Sequence, residues 1–173
     1  MACSGAFETL EMEMPEATFT PASSGTSYVM LGNVVCTTML AGAQSGSDLS
    51  MVICSCPRDA GPGPHTDPWR ESFLVLNGTF EFQLEKNGKL VAHPAGVGDT
   101  ISIPAGTGHA FQATSDGARV LILSVPGGLD AFFKAAGTPA TSATPPQTLQ
   151  PFDRERFEQA TQKYEVRRFE PAA

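Results

Sequence analysis

Two short stretches decide how this chain is read: Pro64-His65-Thr66-Asp67-Pro68-Trp69-Arg70-Glu71 and Pro104-Ala105-Gly106-Thr107-Gly108-His109. His65 and Asp67 are two residues apart, so in extended backbone they face the same way. Glu71 opens the next strand, and His109 follows a turn whose glycines allow a tight bend. Two imidazoles with one or two carboxylates form a borderline-hard donor set. It suits Fe(II), Mn(II), Ni(II), Co(II) or Zn(II), and it includes the 2-His-1-carboxylate option. Without a dication, Asp67 and Glu71 would repel, and one would tend to hold a proton. The third histidine, His93, precedes Pro94 at a strand end and reads as a surface or turn residue.

Outward from these stretches the pattern is short strands separated by turns. Ser27–Leu31, Asn33–Leu40, Leu49–Cys56, Glu71–Leu76, Thr79–Glu85, Leu90–His93, Asp99–Ile103, His109–Ala113 and Arg119–Val125 carry the β signal. Asn77-Gly78 and Asn87-Gly88 each predict a type I′ hairpin turn. About nine strands at 8–12-residue spacing indicate an all-β sandwich or barrel. Pro57–Pro68 is too rich in Gly and Pro to be regular throughout. Beyond the strands, Leu129, Phe132, Phe133 and Ala136 repeat at helical spacing, with Gly137 at the C-cap position. Residues 138–150 read as a Thr/Ala/Pro linker. Asp153 is placed to N-cap a second helix running to about Tyr164. The division is an acidic arm over 1–20, a barrel over 21–126 and a helical extension over 127–173.

In these residues the chain resembles the cupin superfamily. The first cupin motif, G-x5-H-x-H-x3,4-E-x6-G, is met by His65, Glu71 and Gly78, with Asp67 in place of the second His and Asp59 in place of the leading Gly. The second, G-x5-P-x-G-x2-H-x3-N, is met by Gly98, Pro104, Gly106 and His109, with Ala113 in place of Asn. The resemblance covers about residues 27–125. The tail, from Arg154-Glu155-Arg156-Phe157 to Lys163-Tyr164-Glu165-Val166, is similar to that of single-domain quercetin-dioxygenase-like cupins. The resemblance implies an all-β, double-stranded β-barrel (cupin jelly roll), here with two short C-terminal helices. It also implies a divalent transition metal held by His65, Glu71 and His109. Asp67 carries over by position, on the ground that a carboxylate can ligate. Phe73 and Phe111 should flank the site and could line a pocket or be ordinary core. Trp69 and Arg70 fall near the barrel mouth, where Arg70 could pair with Asp67 or Asp99.

Composition narrows the partners. The 173 residues include 11 Lys and Arg against 18 Asp and Glu, a net charge of −7. Five of the basic residues (Arg154, Arg156, Lys163, Arg167, Arg168) crowd into the last twenty positions. No basic stripe is left to follow a nucleic acid or an anionic membrane. The N-terminus lacks the pattern of a signal or transit peptide, so a cytoplasmic location is expected. Cys54 and Cys56 share one strand face and read as small core residues, and nothing points to a disulfide framework.

The expected partner is a small molecule, and small cupins imply a homodimer. The resemblance favours a metal-dependent (di)oxygenase acting on an enolic, phenolic or aromatic substrate, with secondary metabolism as its expected setting and Glu71 as ligand and base. A non-redox isomerase, cyclase or dehydratase using Asp67, Glu71 and His109 as acid–base groups is the rival reading. A non-catalytic binder is the third.

Overall fold

The computed structural model describes residues 17–172. The expected acidic arm over 1–20 therefore lies mostly outside the described residues. Among the described residues there are twelve strands: β1 (Thr26–Met30), β2 (Val34–Leu40), β3 (Ser50–Cys56), β4 (His65–Thr66), β5 (Arg70–Asn77), β6 (Phe80–Lys86), β7 (Lys89–Ala95), β8 (Thr100–Ile103), β9 (His109–Ala113), β10 (Ala118–Val125), β11 (Thr138–Ala140) and β12 (Arg167–Arg168). Two helices, α1 (Leu129–Ala136) and α2 (Arg154–Lys163), separate the last strands. A seven-stranded sheet runs β11-β1-β2-β3-β10-β5-β8, and a five-stranded sheet runs β12-β4-β9-β6-β7. All pairings are antiparallel. This is the expected double-stranded jelly-roll barrel with two short helices.

The period-2 pattern does the sorting. On β5, Glu71, Phe73 and Val75 are buried, and on β10 Ala118, Val120, Ile122 and Ser124 are buried. On β9 and β6, Phe111 and Phe82 pair across the ladder, as do Ala113 and Phe80. Phe73 from the other sheet meets Phe82 and Phe111 at 5.2 and 5.6 Å between ring centres, both edge-on. These rings pack between the two sheets with the edge-on geometry that aromatic quadrupoles prefer. Buried hydroxyls within the large sheet are paired: Ser50 bonds Ser124 at 2.7 Å and Ser27 bonds Thr37 at 2.8 Å. Cys36, Cys54 and Cys56 are buried free thiols whose pKa values burial pushes up, as core residues should show.

The two Asn-Gly turns differ. At Asn87-Gly88 both residues have positive φ (53° and 80°), and Lys86 pairs with Lys89, so the expected I′ hairpin forms between β6 and β7. At Asn77-Gly78 only Gly78 has positive φ, and no hairpin forms, because β5 and β6 belong to different sheets. Asn77 instead donates its side-chain amide to the Gly117 carbonyl at 2.8 Å. A Cβ on Gly78 would come within 2.9 Å of the Ala118 Cα. A tertiary contact overrides the local turn preference there.

The region after Val125 is more than two helices and a linker. Thr138–Ala140 pairs with β1 and extends the large sheet, which corrects part of the linker reading. Gly137 does follow α1, but at φ −89° in extended backbone. Its hydrogen-only side is required for space, since a Cβ would meet Tyr28 Cβ at 2.8 Å and Met30 Sδ at 2.7 Å. Asp153 caps α2 as expected, accepting from the Arg156 amide at 3.0 Å. Arg156 in turn donates to the Ala135 and Lys134 carbonyls at 2.6 and 2.9 Å, satisfying the free C-terminal acceptors of α1. Phe132 of α1 packs on Phe157 and Tyr164, fixing α2 over the barrel.

Candidate metal centre

The four motif residues meet at the open end of the barrel. His65 on β4 and His109 on β9 are register partners in the small sheet, with ring centres 4.3 Å apart. Asp67 follows β4, and Glu71 reaches in from β5 of the large sheet. The Asp67 Oδ2 lies 3.4 Å from His65 Nε2 and 3.5 Å from His109 Nε2. Glu71 Oε2 lies 3.3 Å from His109 Nε2. Asp67, Glu71 and His109 are all buried, and His65 is half-buried.

Backbone carbonyls set the chemistry of both rings. His65 Nδ1 donates to the Gly63 carbonyl at 2.8 Å, and His109 Nδ1 donates to the Thr107 carbonyl at 3.0 Å. A carbonyl can only accept, so the Nδ1 atoms carry the protons and both Nε2 atoms turn their lone pairs toward Asp67. Such a second hydrogen bond is the usual way a ligating imidazole is oriented. The Asp67 Oδ2 and His109 Nε2 are buried with no hydrogen-bond partner. Leaving such a group unsatisfied costs about 1–3 kcal/mol. Acceptors facing acceptors are stable only around a proton or a cation. A divalent ion fits this donor set: one ligand atom each from His65, Asp67 and His109 lies within 4.8 Å of the others.

Glu71 is held differently. Its Oε1 accepts from the Trp69 indole N–H at 3.1 Å, which leaves Oε2 aimed at the His109 side. It lies outside the group of three whose ligand atoms converge most tightly. The His65 pKa is raised: burial works to lower it, but the Asp67 carboxylate beside its Nε2 and the charge of Glu71 outweigh that, with help from the Gly63 carbonyl.

The motif departures have local accounts. Asp59, where the family has glycine, sits at φ 64°, the left-handed region that favours glycine. Gly61 carries the close approach, since a Cβ there would collide with the Phe111 carbonyl.

A cavity of about 680 Å³ opens from this centre. Its walls include Cys36, Cys54, Phe111 and Ile122 from the barrel and Phe132 and Phe157 from the helices. Of the four pocket candidates, Phe111 lines it, whereas Phe73, Trp69 and Arg70 do not. Phe73 is core behind His109, Trp69 is buried against Phe132, and Arg70 is exposed and pairs with neither Asp67 nor Asp99. The contribution of the last strand was not expected. Arg167 and Arg168 pair with Thr66 and His65 and also line the cavity. A two-residue strand of arginines has no hydrophobic pattern to announce it; the crowding of basic residues after Arg154 was the available signal.

A family model described as Cupin domain matches residues 52–126, which include all four motif residues. The fold is that of a cupin. Among solved structures, KdgF from Halomonas sp. is similar over 66% of this chain and 99% of its own, with 21% identity and a TM-score of 0.58. Oxalate decarboxylase from Bacillus subtilis is similar over 66% of this chain but 32% of its own, with 18% identity and a TM-score of 0.54, so the likeness spans about a third of that enzyme. The oxalate decarboxylase has Mn(II) centres. No curated protein matches the chain in sequence. The domain match and the shared fold support the cupin superfamily. Among the described residues, no helix is long and apolar enough to cross a membrane.

Proposed function

We propose that this chain is a divalent-metal-dependent enzyme acting on a small, largely apolar substrate with an ionisable enol or phenol oxygen, as an oxygenase of the quercetin-dioxygenase-like kind. The observation that carries it is the convergence of His65, Asp67 and His109 with two buried ligand atoms unpartnered. Three protein ligands leave coordination positions open for substrate. A bound transition metal would supply Lewis acidity and, for iron or manganese, access to dioxygen chemistry. The Mn(II) centres of the oxalate decarboxylase put manganese among the candidates.

The chain's own residues do the rest. The Gly63 and Thr107 carbonyls keep both imidazoles in the tautomer that offers Nε2. The Trp69 indole occupies one Glu71 oxygen, so the other is free to take the substrate's proton or to act as a further ligand. Phe111, Phe132 and Phe157 present apolar surface to a ring and exclude water from the centre.

The test is metal analysis of tag-free protein followed by oxygen consumption with flavonols and other enolic phenols. A bound or reconstitutable equivalent of transition metal, with substrate-dependent oxygen uptake, is the expected result. Less than about a tenth of an equivalent after reconstitution overturns the metal reading. One observation favours a second reading: Glu71 Oε2 and Asp67 Oδ2 both stand beside His109 Nε2, as an acid–base relay in an isomerase, cyclase or dehydratase would require. Turnover that persists anaerobically would select it.

A further inference from the structure

Three of the five basic residues crowded into the tail, Arg154, Arg167 and Arg168, line the cavity. Register shows where Arg168 stands. It is the β12 partner of His65, and His65 is the β4 partner of His109. Paired residues in an antiparallel ladder send their side chains to the same face. Arg168, His65 and His109 therefore form one row, and Arg168 emerges one strand, about 5 Å, from His65 on the face that carries the candidate ligands.

The tail is pinned in that register. The Phe169 amide donates to the Pro64 carbonyl at 3.1 Å. The Phe169 ring lies over Gly108 so closely that a Cβ there would come within 2.5 Å of it. Among the described residues Arg168 has no ion pair, and neither has Arg154, while Arg167 reaches Glu165 only at 3.8 Å between exposed groups. Outside the candidate metal centre, Glu158 is the acid lining the cavity, against three arginines. The remaining wall is mainly apolar. A cavity with an apolar body and a cationic fork beside its reactive end matches one kind of molecule.

We propose that Arg168 recognises a carboxylate on the substrate, so that the cavity takes a small amphipathic molecule carrying a carboxylate in addition to its reactive oxygen. A guanidinium presents paired donors in the plane that a carboxylate accepts. The proposal rests on the reading of the cavity as the substrate site, and it deepens that reading by naming the substrate's charge.

The experiment is calorimetric titration of the full chain, freed of metal by chelator so that no metal–carboxylate bond supplies the preference, with 2-naphthoate and its uncharged isostere 2-naphthamide. The wild type is expected to bind naphthoate at least about tenfold more tightly than naphthamide. Arg168→Ala should abolish that preference while leaving naphthamide affinity within about twofold, and Arg168→Lys should retain part of it. Arg119→Ala, an exposed arginine on β10 away from the cavity, should change neither. Equal wild-type affinities overturn the proposal, as does an Arg168→Ala variant that loses both ligands alike, which would mark a tail that merely undocks. Absence of binding by either ligand overturns both this proposal and the substrate-site reading. A parallel zinc titration separates the remaining cases: zinc binding without a naphthoate preference sinks the anion proposal alone, and a naphthoate preference without zinc binding sinks the metal reading alone.

Discussion

The inner face of β9 has two ends of opposite character. At Phe111 and Ala113 it meets Phe82 and Phe80 of β6, and Phe73 completes a dry cluster. Two residues earlier, at His109, the same strand enters a polar group in which two buried atoms lack partners. The aromatic end is satisfied by contact alone. The polar end leaves Asp67 Oδ2 and His109 Nε2 without a hydrogen-bond partner. A rigid floor of rings next to it keeps the ligand atoms within a few ångströms despite their mutual repulsion, since packed interiors transmit little slack.

That contrast can be broken from either side. Phe82→Ala should lower stability most, by about 3–5 kcal/mol, read as a shift in denaturant midpoint. If it costs less than about 1 kcal/mol, the ring cluster is not the floor described. His109→Ala should weaken zinc or manganese binding by about 100-fold or more, beyond the usual loss from removing a second hydrogen bond of a ligand. Unchanged affinity in a competition assay would remove His109 from the centre. Asp153→Ala, at neither end, should cost about 1 kcal/mol through the lost N-cap of α2.

The smallest effect separates the ends by pH. Asp67 and Glu71 raise the folded-state pKa of His65 above its ordinary value of 6.5 against the opposing effect of burial. In the metal-free chain that contribution to stability is fully present below the unfolded value and is lost as pH rises through the folded one. Metal-free wild type should therefore lose some stability as pH climbs past about 6.5, and His65→Gln should remove that slope. Phe82→Ala should keep it, since rings do not titrate. Identical pH profiles for wild type and His65→Gln would show that the histidine's charge is not coupled to folding.

Much of this was legible in the chain. His65, Glu71 and His109 stand at motif spacings, and β5 and β10 follow the period of two. Asp67 was legible by position, and the structure brings its Oδ2 between the two imidazoles. What was not legible depended on distant contacts. Asn77-Gly78 spells a hairpin locally, but Gly117 and Ala118 pull the chain into the other sheet. Phe73 and Phe111 alternate alike with the motif residues, yet only Phe111 reaches the cavity, because Phe73 points behind His109. β11 and β12 consist of residues with no strand signature and exist because β1 and β4 offer unpaired edges.

The pairing of β12 with β4 also bears on the order of folding. Arg168 and His65 are about a hundred residues apart in the chain, so closing their ladder is among the most non-local events in the molecule. During synthesis His65, Asp67, Glu71 and His109 are made well before the arginine strand that borders them. If the centre holds a dication as proposed, a chain cut before residue 167 should take it up faster, and release it faster, than the 173-residue chain.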